Sequence, residues 1–205
     1  MFKKVRWTIF VFLAITIGFY PAIYFLVDRE FGLLSNKSAE LLANVFWNAG
    51  FYTHIIFGGL SLLTGWSQFS AAFRNKNLPF HRLLGKIYVV CAVLSATAGL
   101  GIGFYATGGI VAAAGFISLG VIWFFTTLKA YVLIRKKQVD EHRKWMVYSY
   151  AACFAAVTLR LWLPFLIAVF HDFETAYVIV AWLCWVPNLI VANYLTKRYE
   201  ASRAI

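Results

Sequence analysis

Residues 109–144 read GIVAAAGFISLGVIWFFTTLKAYVLIRKKQVDEHRK. An apolar run extends from about Gly109 to Ile134 and stops at Arg135, Lys136 and Lys137. A bilayer core is crossed by about 20 mostly apolar residues in a helix. This run is long enough, and the basic cluster behind it marks an end that stays in water. Outward from it, the same pattern recurs along the chain. Apolar runs occupy about 7–27, 45–73, 83–105, 145–170 and 175–195. The expectation is an all-α bundle of six transmembrane helices, a single integral membrane domain covering residues 1–205.

Composition agrees. The 205 residues are 62% hydrophobic and 13% charged, with a mean hydropathy of +0.74. Soluble domains hold about 45–50% apolar and about 25% charged residues. Six spans leave only short connections and tails, so a second soluble domain, disorder and a disulfide scaffold are all excluded. Cys91, Cys153 and Cys184 each lie in an apolar run without a CxxC, and read as small core residues. The opening Met-Phe-Lys-Lys-Val-Arg resembles a signal peptide. Its apolar run is too long for one and no small-x-small cleavage site follows, so it reads as a first helix that is kept.

The net charge of +11 would suggest nucleic acid in a soluble chain. Here its placement follows the membrane instead. Lys3, Lys4 and Arg6 precede the first span, and Arg74, Lys76, Arg82 and Lys86 lie between the second and third. Arg135, Lys136, Lys137, Arg143 and Lys144 lie between the fourth and fifth, and Lys197, Arg198 and Arg203 follow the sixth. The other side carries Asp28, Glu30, Glu40, Asp172 and Glu174, against Arg29 and Lys37. Basic loops mark the cytoplasmic side, so both termini are expected there, in a bacterial plasma membrane. The partner implied is the lipid bilayer, not nucleic acid.

A repeat is also visible. Arg74 precedes His81-Arg82 by seven residues, Arg135 precedes His142-Arg143 by seven, and the offset between the sets is 61. Spans two and three would then repeat as spans four and five, with His81 and His142 at one depth. Membrane folds with a central site are often built from such repeats.

Few residues can carry chemistry. His54 lies in the second span, roughly 12 Å below the outer surface at 1.5 Å per residue. Gly58, Ser61, Gly65 and Gln68 share its face. That stripe reads either as close helix packing or as a flat wall for a planar cofactor with His54 as axial ligand. Arg160 lies within the fifth span, where a guanidinium needs an acceptor, and no apolar span offers Asp or Glu. A cofactor or substrate anion would serve, as would Asp172, Glu174 or the outer surface. His81 and His142 sit at the membrane edge beside arginines, and His171 lies in an outer loop. Pro187-Asn188 should kink the sixth span and free a carbonyl, with Asn188 and Asn193 turned inward. No P-loop, HExxH, GxSxG or Rossmann fingerprint is present.

Read in order, these pieces resemble a known family. His54-x-x-x-Gly58, Leu62-Leu-Thr-Gly65-Trp-Ser-Gln68-Phe, His81-Arg-x-x-Gly85-Lys-x-Tyr88, Asp140-Glu-His142-Arg-Lys-Trp-Met146, Thr158-Leu-Arg160-Leu and Ala181-Trp-x-x-Trp185-x-Pro-Asn188 together resemble the bacterial domain-of-unknown-function family 2306 over about residues 45–195. The resemblance implies a multi-pass membrane protein and no particular activity. The architecture is also similar to the two-haem cytochrome b-561 group. By that analogy His81 and His142 would be a haem pair on helices three and five. His54 on helix two would lack its partner, since the 61-residue offset lands on Gly115.

Three readings of function follow. The first is a membrane redox protein holding haem b or a quinone among helices two to five, with iron ligands among His54, His81 and His142. Arg160 would pair with an anionic group, and Gly58, Gly65, Gln68 and Asn188 would line the site. A quinone or a redox protein would be its partner. The second is a transporter, channel or lipid-binding protein for an anionic or small neutral substrate. The third is an accessory membrane subunit without chemistry of its own.

Overall fold

A computed structural model describes residues 2–27 and 32–202. Asp28, Arg29, Glu30 and Arg203, used above for topology, lie outside the described residues, as does the Lys3 side chain. Helix accounts for 89% of the structure, and no strand occurs among the described residues, so the fold is all-α. The chain divides into two compact units, Met1–Ile102 and Gly103–Ile205.

The first unit begins with α1 (Phe2–Phe19), which Pro21 tightens into a 3₁₀ turn over Tyr20–Phe25. A second 3₁₀ turn (Gly32–Asn36) and the short α2 (Ala39–Ala43) lead to α3 (Val45–Gly65). Asn44 starts α3, its Oδ1 accepting from the Trp47 amide at 3.0 Å. The expected single span over 45–73 is broken. The α-helix ends at Gly65, a 3₁₀ turn covers Trp66–Phe69, and α4 (Ala71–Lys76) starts afresh behind the Ser70 cap. Next comes α5 (Leu78–Gly103), capped by Asn77 Oδ1 on the Phe80 amide at 3.1 Å. It starts earlier than expected because Pro79 suits a first turn, where its missing N–H is no loss.

Within this unit α1 lies close against α3 because glycines meet. A Cβ on Gly59 would stand 2.5 Å from the Gly18 carbonyl oxygen, and one on Gly18 would stand 2.7 Å from the Leu63 side chain. Small residues at helix contacts are how membrane helices gain packing where lipid removes the hydrophobic drive. Above the contact, Tyr24, Leu34, Trp47 and Phe51 form a buried cluster, with Trp47 stacked on Phe51.

The second unit holds α6 (Gly109–Arg135), α7 (Val139–Cys153), α8 (Ala155–Phe170), α9 (Phe173–Leu183) and α10 (Val186–Ala201). The expected fifth span is α7 and α8 in succession, interrupted at Phe154. No Pro or Gly stands there. The Val157 amide bonds back to the Phe154 carbonyl, a 3₁₀ step inside the run. The sixth is α9 and α10, broken at Cys184 and Trp185 ahead of Pro187, where a kink was expected. In this unit α6 packs on α7 and α9, α8 on α9, and α10 on α7. His171, in the left-handed region at φ 52°, ends α8 and is exposed.

Asp172 starts α9, with Oδ2 accepting from the Thr175 amide at 2.7 Å. Hydrogen bonds from Thr175 hold its carboxyl below the ordinary carboxylate range. A lowered folded-state value means the capping stabilisation is full above the ordinary pKa of about 3.9 and is lost as pH falls through the lowered value. Protection of the Thr175 amide against hydrogen exchange should therefore hold from neutral pH down to that range and fall only below it. Asp172→Ala should lack this protection at every pH, and equal protection in the two proteins would refute the assignment.

Among the described residues, five stretches are long and apolar enough to cross a membrane: Lys4–Phe25, Leu78–Gly103, Gly109–Arg135, Val139–Phe170 and Phe173–Ala201. The expected second span, α3, is not among them. Its 21 residues suffice in length, but Asn48, His54, Ser61, Thr64 and four glycines dilute its apolar character.

Candidate functional site

In the first unit, His54 sits mid-way along α3 and turns its ring onto α5. Nδ1 lies 2.9 Å from the Ser95 carbonyl oxygen. A carbonyl only accepts, so Nδ1 carries the proton, and in the neutral ring Nε2 holds the lone pair. Ser95 Oγ donates to the His54 carbonyl at 2.8 Å and fixes the same spot from the other side. Gly99 makes room for the ring, since a Cβ there would lie 2.9 Å from Nδ1. Ser95 and Gly99 escaped the sequence reading because they stand more than forty residues from His54 and carry no local signal.

Gly58 and Gln68 also meet α5. A Cβ on Gly58 would stand 3.1 Å from Ser95 Oγ, and one on Gly85 would stand 3.2 Å from Gln68 Oε1. Gly65 is buried. At Gly58 and Gln68 the stripe packs on a helix. His81 is half-buried, the fourth residue of α5.

In the second unit, His142 is likewise the fourth residue of its helix, α7. The two helix starts, Leu78 and Val139, differ by the same 61 residues as the histidines. His142 Nδ1 lies 2.8 Å from the Ala130 carbonyl oxygen on α6, which again places the proton on Nδ1. His81 and His142 belong to different units.

Arg160 lies on α8, half-buried, and its Nη1 donates to the Ala156 carbonyl at 2.8 Å. Pro164, four residues on, cannot donate to the Arg160 carbonyl as a helical residue would. Asn188 bridges the two interrupted spans. Its Nδ2 lies 3.0 Å from the Cys184 carbonyl, 3.2 Å from the Ala151 carbonyl and 3.1 Å from Thr158 Oγ1. Thr158 also donates to the Cys184 carbonyl. That amide nitrogen is committed to protein acceptors. Below it, the Tyr148 hydroxyl donates to Asn193 Oδ1 at 3.1 Å, and Lys144 pairs with Glu200 at 2.7 Å, so α7 and α10 share a polar seam. Among the described residues, no three of His, Cys, Asp and Glu come together as a metal cluster.

One residue that sequence reading passed over is Lys129. It lies inside the apolar run that became α6, with its Nζ 3.8 Å from the Trp145 ring centroid and 5.5 Å from that of Phe125. A lysine within a membrane run was itself the signal.

The family model described as a predicted membrane protein, DUF2306, matches residues 51–196. The chain belongs to this family. Every candidate residue of the DUF2306 protein, from His54 to Asn188, falls inside the matched stretch, while α1 and most of the aromatic cluster around Trp47 precede it. No curated protein and no solved structure matches the chain.

Proposed function

We propose that this DUF2306 protein is a membrane redox protein that takes a b-type haem through histidine. The observation that supports it is the state of two rings. His54 and His142 each commit Nδ1–H to a main-chain carbonyl on a neighbouring helix, leaving Nε2 as the nitrogen with a lone pair. Metal-bound histidines are oriented in this way, with the far nitrogen held by a carbonyl or carboxylate. The donor type fits haem iron, which accepts neutral imidazole. The candidate ligands are His54 and His81 in the first unit and His142 in the second, where Arg160 supplies a cation suited to a propionate. Bound haem supplies one-electron transfer, and the chain's part is to fix the rings and exclude water. Gly58, Gly65 and Gln68 serve the packing that holds His54, and we assign them no ligand contact. The same reading gives α3 as a sixth crossing and places both termini in the cytoplasm of a bacterial cell, following the basic loops.

Absorption spectra of the detergent-purified protein, oxidised and then reduced with dithionite, test this. The expected result is a Soret band that sharpens on reduction and loses intensity in His54→Ala, His81→Ala or His142→Ala. A flat visible spectrum after expression with ample haem would remove the redox reading. Bands that survive all three substitutions would remove the ligand assignment alone.

A further inference from the structure

Lys129 is two turns inside the end of α6, roughly 9 Å from Arg135 at 1.5 Å per residue. A lysine at that depth is expected to extend along the helix toward water. This one does not. Its ammonium lies across the Trp145 ring of α7, at 3.8 Å from the centroid, with the Phe125 ring 5.5 Å away and packed edge-on to Trp145. No carboxylate forms an ion pair with Lys129 among the described residues, and Glu200, which stands on the same unit, is taken by Lys144. An aromatic face offsets part of the desolvation of an ammonium but does not neutralise it.

The surroundings say what would. Phe125 and Val121 lie four and eight residues before Lys129, on one helical stripe leading away from the basic end. They are 55% and 51% exposed, and so form an uncovered apolar track beneath a cation. On the opposite side of Lys129 the helix runs out into exposed Arg135, Lys136 and Lys137. Cation above, aromatic ring beside, apolar track below and further cations at the rim is the order of groups that an acidic diacyl lipid meets end to end. We propose that Lys129 and Trp145 hold the headgroup phosphate of one anionic phospholipid, with an acyl chain along Phe125 and Val121. The site lies in the leaflet facing the Arg135–Lys137 loop and does not depend on the haem reading.

The test uses the full chain, purified in detergent, stripped of lipid and titrated with phosphatidylglycerol, phosphatidylcholine or inorganic phosphate under native mass spectrometry. The expected result is a saturable single adduct with phosphatidylglycerol. Lys129→Gln should weaken it roughly fivefold, the size of one lysine's attraction to an anionic surface. Lys129→Arg should restore it, and Arg135→Gln should weaken it less than Lys129→Gln. Equal retention of the two lipids, equal losses in Lys129→Gln and Arg135→Gln, or displacement of the lipid by phosphate alone would each overturn the proposal. A readout without any change at Lys129 guards against a folding defect. Brominated phosphatidylglycerol should quench tryptophan emission of the unaltered protein more than brominated phosphatidylcholine does, and Trp145→Phe should abolish the difference. Equal quenching by the two lipids counts against the site as well.

Discussion

Gly59→Leu is expected to prevent the first unit from folding. The Gly59 Cα faces backbone, not a movable side chain: a Cβ there would stand 2.5 Å from the Gly18 carbonyl oxygen and 3.0 Å from the Pro21 ring. Neither neighbour can swing away, because Gly18 belongs to α1 and Pro21 fixes the 3₁₀ turn that follows it. The helices must separate, and the contact that replaces the missing hydrophobic drive in lipid is lost. Overpacking by a few atoms costs about 1–3 kcal/mol, which is where Gly59→Ala should fall. Leucine adds three more heavy atoms at the same place. Gly101 provides the control, since a Cβ there meets nothing within 4 Å. Gly101→Ala should be neutral, or stabilising by up to ~1 kcal/mol through helix propensity. Thermal unfolding in detergent measures all three. If Gly59→Ala and Gly101→Ala unfold alike, the close α1–α3 contact is wrong.

Asn188→Asp should destabilise the second unit more than Asn188→Leu does. The Asn188 amide nitrogen faces three acceptors, the Ala151 and Cys184 carbonyls and the Thr158 hydroxyl oxygen. Leucine removes the donor and leaves the acceptors to one another. Polar contacts in membrane bundles average about 0.6 kcal/mol and reach about 1.7, and stranding a buried acceptor costs about 1–3 kcal/mol, so a loss near 2 kcal/mol is expected. Aspartate keeps the shape but turns oxygen toward oxygen. Ionised, it repels the two carbonyls and draws the Thr158 hydroxyl only if that group gives up Cys184, and protonated, it offers one donor at most. The Trp185 amide, at the break in the helix, should exchange faster in both variants. Aspartate as stable as asparagine would mean that the amide is turned the other way.

The helical class was legible because it rests on runs of one character. Gly109–Arg135 ends within a residue of where its apolar run stops. The kink before Asn188 was legible because proline enforces it locally. What escaped depends on partners distant in the chain. Phe154 interrupts its span without proline or glycine, and the Thr158 hydroxyl, 3.2 Å from its carbonyl, donates instead to Cys184 across on the next span. The end of α3 at Gly65 was misread as a continuing run, although Ser70, a cap three residues before Phe73, marked a new helix. The histidines were found as residues, but the carbonyls that set their protons are main-chain atoms, which no side-chain pattern records.

Both interrupted spans of the second unit are laced together at their breaks. Ala151 and Thr158 lie on either side of one break, Cys184 and Asn188 on either side of the other, and the Asn188 nitrogen reaches all three remaining groups. A slide of α9–α10 along α7–α8 by one residue, about 1.5 Å, would separate Asn188 from Ala151 and Thr158, and Thr158 from Cys184, at once, with no water in the bilayer core to replace them. Axial shear is therefore the motion this region resists. Bending at Phe154 and at Cys184–Trp185 is the freedom that remains, because the helical ladder shifts there to three-residue steps, Val157 to Phe154 and Trp185 to Trp182, so flexing of this unit is expected at those residues.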